Sequence, residues 1–194
     1  MKIEQEGIKQ ITEEKFINLF SVPYTDTKGV KRTWGMASRR NLNELLCSNK
    51  NEKPEAIVIA SVHDSGCIVV TKEFRVPLGD YEYGFPAGLI DYGESLESCA
   101  KRELFEECGL TLLKMSWVSP PIYSSAGMTD ESIILIACTC TGTPTSVNTG
   151  ESEEIETMLW SQEKAKHKLE GGGEHKFGSK AWPLLLMFAR YGEL

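Results

Sequence analysis

Three glutamates lie close together near the end of a segment with a helical pattern: Glu103, Glu106 and Glu107. Residues three and four positions apart are neighbours on a helix, so these carboxylates repel one another. Glu106 and Glu107 also fall in the last turn before Gly109, a typical helix cap, where the helix end disfavours negative charge. Several unfavourable charge placements within one helix indicate a functional site. A divalent cation would turn the repulsion into attraction, and Mg²⁺ prefers carboxylate and phosphate oxygens.

A helix over about residues 95–108 must position these glutamates. Ser95 suits the N-cap, and the residues expected to be buried recur at helical spacing: Leu96, Cys99, Ala100, Leu104 and Cys108. Arg102 stands four positions before Glu106, which is the spacing of an ion pair on a helix surface. Upstream, residues 81–85 predict a short strand that leads into Ala87 and Gly88.

The segment Gly88 to Leu110 resembles the signature of the Nudix hydrolases, G-x5-E-x7-R-E-U-x-E-E-x-G-U, where U is aliphatic. Every fixed position matches: Gly88, Glu94, Arg102, Glu103, Leu104, Glu106, Glu107, Gly109 and Leu110. A solvated acidic helix would explain any one of these glutamates but not the whole set. The resemblance implies a hydrolase that splits a pyrophosphate bond with Mg²⁺, or alternatively Mn²⁺, as its cofactor.

The resemblance also assigns roles within this segment. Glu106 and Glu107 are the implied metal ligands, Glu103 completes the cluster, and the carbonyl of Ala87 is a further candidate ligand. Arg102 is implied to orient the carboxylates, together with Glu94. Gly88 would let the backbone approach the metal or a substrate phosphate.

Residues outside the signature resemble the branch of the family that hydrolyses ADP-ribose and nucleotide sugars. The implied substrate-binding residues are Arg75 for a phosphate, Trp34 for stacking on adenine, Arg39 near it, and Glu131 in the segment 125–131. A surface arginine and a core tryptophan are the alternatives for the first two. The chain departs from the branch pattern at Gly35, Gly84 and Ala126, which leaves the base and the sugar open.

The acidic segment 150–156 precedes a strand pattern, and there the resemblance implies that Glu153 is a catalytic general base; a solvated loop is the alternative.

The expected reaction converts ADP-ribose to AMP and ribose 5-phosphate. GDP-mannose, ADP-glucose or an oxidised nucleoside triphosphate are alternative substrates. A catalytically silent module that senses ADP-ribose is the alternative outside enzymes.

The order of patterns along the chain predicts an α/β protein with a mixed sheet covered by helices on both faces, and the resemblance implies the Nudix α/β/α sandwich. Strand patterns at residues 16–24 and 30–38 predict an N-terminal antiparallel hairpin, and a polar stretch follows at residues 48–55. We therefore expect an N-terminal β element for dimerisation at residues 1–52 and a Nudix domain at 53–194. The resemblance implies a homodimer.

Composition narrows the remaining possibilities. The chain has 194 residues and 41% hydrophobic content, enough for one domain with a small appendage. A formal charge of -7 and short basic segments argue against a nucleic-acid partner. Six cysteines without a CxxC pair indicate reduced structural thiols. Because no signal-peptide pattern or membrane-length apolar run is visible, we expect a cytoplasmic protein without a membrane partner.

Overall fold

The computed structural model describes residues 1–49, 53–145, 154–171 and 175–194. The chain divides into two compact units, one made of Met1–Glu55 with Pro121–Ile133 and the other of Ala56–Pro120 with Ile134–Leu194. Across the described ranges, every helix is too short or too polar to cross a lipid bilayer.

An antiparallel sheet of four strands forms most of the first unit. Its strands are β1 (Lys2–Ile3), β2 (Lys9–Gln10), β3 (Asn18–Thr25) and β4 (Lys31–Ser38), and β3 pairs with the other three. The predicted hairpin is confirmed, because β3 and β4 pair along their whole length. In its turn, the Asp26 carboxylate accepts hydrogen bonds from the N–H groups of Lys28 and Val30, each at 2.9 Å. Short 3₁₀ helices lie at Gln5–Gly7 and Leu42–Glu44.

A buried cluster of Ile8, Phe20, Val22, Met36 and Leu45 forms the core of the first unit. This core lies on one face of the sheet, since alternate residues of β3 point to it.

Arg40 connects distant segments of the first unit. Its Nη2 donates to the carbonyl of Lys53 at 2.8 Å, and its Nε lies 2.9 Å from Glu55 Oε1 and 3.7 Å from Asp130 Oδ2. Asp130 also accepts a hydrogen bond from the N–H of Leu46 at 3.1 Å. These contacts, and the hydrogen bonds from the N–H groups of Ala37 and Glu55 to the carbonyls of Met128 and Ser132, both at 2.9 Å, attach residues 121–133 to a unit that the sequence predicts to end at residue 52. Within that segment, β10 (Ile122–Tyr123) pairs with the start of β11 (Ser132–Thr141).

The sheet of the second unit contains β5 (Ala56–His63), β6 (Ile68–Arg75), β7 (Asp80–Gly84), β8 (Ala87–Leu89), β9 (Thr111–Val118), β12 (Ile155–Trp160) and most of β11. The order across the sheet is β11–β5–β6–β12. Strand β9 pairs with β11, β8 pairs with β5 and β7 pairs with β6, all antiparallel. A 3₁₀ turn, Val76–Leu78, joins β6 to β7.

Helices cover both faces of this sheet: α1 (Leu96–Cys108), α2 (Gln162–Glu170) and α3 (Ala181–Tyr191). Alternate residues of the central strands point to opposite faces, so Ile57, Ile59 and Val69 pack with α1, whereas Ala60, Ile68 and Val70 pack with α2 and α3. The predicted α/β/α arrangement is therefore present in the second unit.

Helix α1 begins and ends as the sequence predicts. Ser95 Oγ accepts a hydrogen bond from the N–H of Ser98 at 3.1 Å, and Gly109 caps the other end with φ = 66°. Four of the five residues predicted to be buried are buried, and Leu96 is partly buried. The helix also buries Glu103 and Glu107, which no hydrophobic pattern predicts.

Candidate active site

Strand β8 and helix α1 bring two of the predicted carboxylates against one stretch of backbone. Glu107 accepts a hydrogen bond from the N–H of Ala87 at 3.2 Å. A β-carbon at residue 88 would lie 1.8 Å from Oε1 of Glu103, so this carboxylate lies against the backbone in space that only glycine leaves free. Strand β8 is held in turn by β5, because the N–H of Ile59 donates to the carbonyl of Pro86 at 2.8 Å.

Arg102 connects the acidic side chains of α1 to the loop that precedes the helix. Its Nε and Nη2 bond both carboxylate oxygens of Glu94, at 3.1 and 2.8 Å. Its Nη1 lies 2.6 Å from Glu103 Oε1 and 3.3 Å from Glu106 Oε2. The planar guanidinium thus holds three carboxylates in a fixed arrangement, which a lysine could not do.

The charges of this network shift the protonation of its members. The bond to Arg102 lowers the pKa of Glu94 to about 2, and a hydrogen bond from the N–H of Asp91 acts in the same direction. The paired carboxylates of Glu94 and Glu103 raise the pKa of Arg102. Glu94 and Arg102 therefore stay charged at neutral pH.

The donor atoms at this site have the chemistry that Mg²⁺ requires. Glu103, Glu106, Glu107 and the carbonyl of Ala87 offer hard oxygen ligands, and Gly88 provides the space for one of them. In the described parts of the chain, no three histidine, cysteine, aspartate or glutamate side chains converge into a metal-binding group. Arg102 binds Glu103 and Glu106, and Glu107 accepts from the N–H of Ala87. These residues could hold a cation, with Arg102 orienting two of them.

A cavity of about 150 Å³ in the second unit includes Ala87 in its lining and contains Arg75. Arg75 Nη1 lies 2.5 Å from Glu73 Oε1, and its Nε lies 3.3 Å from Glu82 Oε2. Gly84 and Lys180 line the same cavity. The sequence analysis did not identify Glu82 or Lys180, because neither residue belongs to a motif. The one sequence signal near Lys180 is the predicted start of the last helix, close to residues 178–180.

The other predicted substrate-binding residues belong to the first unit. Trp34 is half exposed on β4, and its Nε1–H donates to the carbonyl of Gly127 at 3.1 Å, so it is not a core tryptophan. Arg39 and Glu131 form an ion pair at 3.7 Å. The structure thus groups these three residues and the segment 125–131 within one unit.

Glu153 lies outside the described residues, so its role stays a prediction. Its neighbour Glu154 is described: the hydroxyl of Tyr81 donates to Glu154 Oε1, and the N–H of Phe74 donates to its carbonyl at 3.1 Å. The hydrogen bond to the Glu154 carboxylate raises the pKa of Tyr81, and the two contacts attach residue 154 to β6 and β7.

Comparisons with known proteins agree with this geometry. Residues 52–177 match the profile of the NUDIX domain. An ADP-sugar pyrophosphatase of Mus musculus is 30% identical over 138 residues, covering 68% of this chain and 59% of that protein. An ADP-ribose pyrophosphatase of Bacillus subtilis is 33% identical over 123 residues, covering 63% of this chain and 58% of that protein. The chain thus spans less than two thirds of the length of these relatives.

A solved structure has the same fold. The crystal structure of an ADP compounds hydrolase matches with a TM-score of 0.73 and 20% sequence identity, over 98% of this chain and 94% of that one. The predicted α/β class and sandwich are confirmed by this match. With the signature intact from Gly88 to Leu110 and the family profile covering most of its length, the chain belongs to the NUDIX family.

Proposed function

We propose that this protein hydrolyses the pyrophosphate bond of a nucleoside diphosphate sugar, with Mg²⁺ as cofactor and ADP-ribose as substrate. The observation that carries the proposal is the placement of Glu103 and Glu107 against Ala87 and Gly88, with Arg102 holding Glu103 and Glu106. A protein that only binds ADP-ribose has no need of this arrangement.

The side chains of the second unit can divide the work of the reaction. Glu103, Glu106, Glu107 and the Ala87 carbonyl would hold Mg²⁺, which supplies charge neutralisation at the diphosphate when bound. Arg102 orients two of the glutamates by its hydrogen bonds. Arg75 is positioned by Glu73 and Glu82 to contact a phosphate. Glu153 is the proposed general base for the attacking water.

The names of the relatives support the choice of substrate. One is an ADP-sugar pyrophosphatase, and another is an ADP-ribose pyrophosphatase. Products distinguish this proposal from its alternatives: ADP-ribose should yield AMP and ribose 5-phosphate, whereas GDP-mannose would yield GMP. A panel that includes ADP-glucose and oxidised nucleoside triphosphates, scored by released nucleotide, identifies the base and the sugar. Replacing Mg²⁺ by Mn²⁺ in the same assay identifies the preferred ion.

The Glu106→Gln variant tests the catalytic assignment. We expect kcat for ADP-ribose to fall by at least about 100-fold, because losing one charged ligand removes several kcal/mol of transition-state stabilisation. The melting temperature should stay close to that of the parent, since the Glu106 side chain is half exposed. Glu97→Gln is the matched control on α1, because Glu97 pairs with Lys101 on the exposed face, away from the carboxylates that Arg102 holds. Full activity of Glu106→Gln with Mg²⁺ would contradict the proposal.

A catalytically silent ADP-ribose sensor is the second candidate. It predicts that calorimetry detects ADP-ribose binding while no AMP forms at any Mg²⁺ or Mn²⁺ concentration. Release of AMP by the parent chain, and its loss in Glu106→Gln, would exclude the sensor.

We also propose that the protein is a cytoplasmic homodimer in which the first unit contributes to the partner's site. The exposure of Trp34, together with exposed Phe16, Ile17 and Leu19 in the same unit, supports an interface there. The free thiols of Cys47, Cys67, Cys99, Cys108, Cys138 and Cys140 suit a reducing compartment.

A further inference from the structure

The first unit places two charged pairs side by side, one exposed and one buried. Arg39 and Glu131 form the exposed ion pair, at 3.7 Å, and both are proposed substrate-binding residues. Arg40 follows Arg39 in the chain, and Asp130 precedes Glu131. In this second pair, Nε of Arg40 lies 3.7 Å from Oδ2 of Asp130. Each of the two candidate binding residues is therefore joined by a peptide bond to one member of the buried pair.

Two further hydrogen bonds connect the segments that carry these pairs. The N–H of Ala37 donates to the carbonyl of Met128 at 2.9 Å. The indole N–H of Trp34, the residue proposed to stack on the base, donates to the carbonyl of Gly127 at 3.1 Å. Strand β4 and the segment before β11 thus lie against each other, and the three proposed binding residues of this unit all belong to these two segments.

The buried pair is anchored at both ends. Oδ2 of Asp130 accepts the N–H of Leu46 at 3.1 Å. Arg40 donates from Nη2 to the carbonyl of Lys53 at 2.8 Å, and its Nε lies 2.9 Å from Oε1 of Glu55. The side chains of Arg40 and Asp130 are only 10% and 6% exposed, so water and salt screen their attraction weakly. We therefore expect this pair to hold its two segments at a fixed spacing.

The exposed pair does little to fix its own geometry. The side chains of Arg39 and Glu131 are 43% and 28% exposed, and ion pairs open to water contribute at most about 1 kcal/mol. Binding residues keep a productive geometry when neighbouring contacts hold them. We propose that Arg40 and Asp130 are positioning residues, which place Arg39 and Glu131 and thereby set the affinity for the base end of the substrate. The identity of that substrate rests on the proposed function.

Calorimetry with AMP on the full chain tests this role independently of turnover. Asp130→Asn should weaken AMP binding about fivefold or more, the usual size of a coupling between two positions. Asparagine keeps an oxygen for the N–H of Leu46 but loses the charge that attracts Arg40. Asp26→Asn is the matched control and should bind AMP like the parent. Asp26 also pairs with an arginine, Arg32, and accepts backbone N–H groups, but it lies in the hairpin turn at the other end of β4.

A double-mutant cycle separates positioning from a general loss of stability. If Asp130 acts through Glu131, Asp130→Asn should have little further effect on AMP binding when Glu131→Gln is already present. A purely structural role would give the same loss of affinity in both backgrounds. Melting curves verify folding. If Asp130→Asn unfolds, Arg40→Lys replaces it in the cycle, because lysine keeps the charge but loses the forked donor geometry.

The outcomes distinguish this role from the reaction itself. Equal AMP affinities of Asp130→Asn and Asp26→Asn, additive losses in the cycle, or a parent that binds no AMP would each overturn the proposal. If the parent shows the expected coupling in AMP binding but releases no AMP from ADP-ribose, the proposed hydrolysis fails and the positioning role stands. In assays with ADP-ribose, Asp130→Asn should raise KM by a similar factor and change kcat less, because the proposed metal ligands belong to the second unit.

Discussion

Gly88 shows how one residue type can set the geometry of the site. A β-carbon there would overlap the Glu103 carboxylate at 1.8 Å, and the carboxylate is itself held by Arg102 at 2.6 Å. We predict that Gly88→Ala displaces Glu103 and lowers Mg²⁺ affinity by about tenfold or more. Moving one ionic ligand out of position should cost at least ~1.4 kcal/mol of binding free energy, which corresponds to a tenfold change in affinity.

Titration calorimetry with Mg²⁺ measures this effect, and Gly84→Ala provides the control. A β-carbon at residue 84 meets only Thr71 Oγ1, at 3.6 Å, which is an ordinary contact. Gly84→Ala should therefore bind Mg²⁺ like the parent. Equal affinity of Gly88→Ala and the parent would show that Glu103 does not contribute to metal binding in this position.

Glu94 makes a pH-dependent contribution to stability through Arg102. Its pKa is about 2 in the folded chain against an ordinary 4.5, so the folded state binds this proton more weakly than the unfolded state. The resulting stabilisation is complete above pH 4.5 and is lost as the pH falls toward 2. We predict that Glu94→Gln is less stable than the parent at neutral pH and that the difference shrinks across this window.

Urea denaturation of both proteins at several pH values tests this sign. Glu163→Gln, on the exposed side of α2, is the control for a general loss of charge. A difference between the parent and Glu94→Gln that grows toward acid pH would contradict the assignment of Arg102 as the partner that stabilises the ionised form.

At the scale of elements, α1 must begin at the right residue and turn the right face toward β8 for its carboxylates to contact that strand. Ser95 fixes that start by accepting the N–H of Ser98 at 3.1 Å. We predict that Ser95→Ala lowers the free energy of unfolding by about 1 kcal/mol, the usual effect of losing an N-cap, and that Ser95→Asp restores it. Ser98→Ala is the control, because only the main chain of Ser98 takes part in the cap. A Ser95→Ala variant as stable as the Ser98→Ala variant would show that the cap contributes nothing.

Sequence reasoning succeeds for elements whose signals are local. The hairpin of β3 and β4 and the capped helix α1 lie within a residue or two of their predicted positions, because alternation, caps and glycine act over short distances. The burial of Glu103 and Glu107 escapes such reasoning. Carboxylates are buried here because they reach β8 and Arg102, and those partners come from tertiary structure.

At the scale of the whole molecule, long-range contacts decide what local patterns cannot. The polar stretch at residues 48–55 indicates the end of the first unit, but nothing in composition assigns residues 121–133 to it. That assignment comes from contacts distant in sequence, such as those of Arg40 with Glu55 and with Asp130, which lies 90 positions away, and that of Trp34 with Gly127. Lys180 and Arg75 likewise line one cavity although they are distant in sequence, and residues 176 and 178 pair there with Tyr83 of β7.

The proposed homodimer makes a prediction about mixed subunits. Trp34→Ala should weaken activity because it removes the side chain proposed to stack on the base. Glu106→Gln should abolish activity because it removes a proposed metal ligand. If the first unit of each subunit completes the site of its partner, a dimer of the two variants contains one site with both an intact Trp34 and an intact Glu106. Random exchange in a two-fold dimer then restores about a quarter of the parental sites.

Activity on ADP-ribose after the two variants are unfolded, mixed and refolded together measures this recovery. Each variant treated alone is the control, and light scattering reports the oligomeric state of each preparation. Activity of the mixture equal to the average of the two controls would mean that Trp34 acts within its own subunit or not at all. A protein that is monomeric at micromolar concentration would contradict the proposal that Trp34 contributes to the partner's site. The first unit can complete a neighbouring site only when the dimer persists at the concentration of the assay.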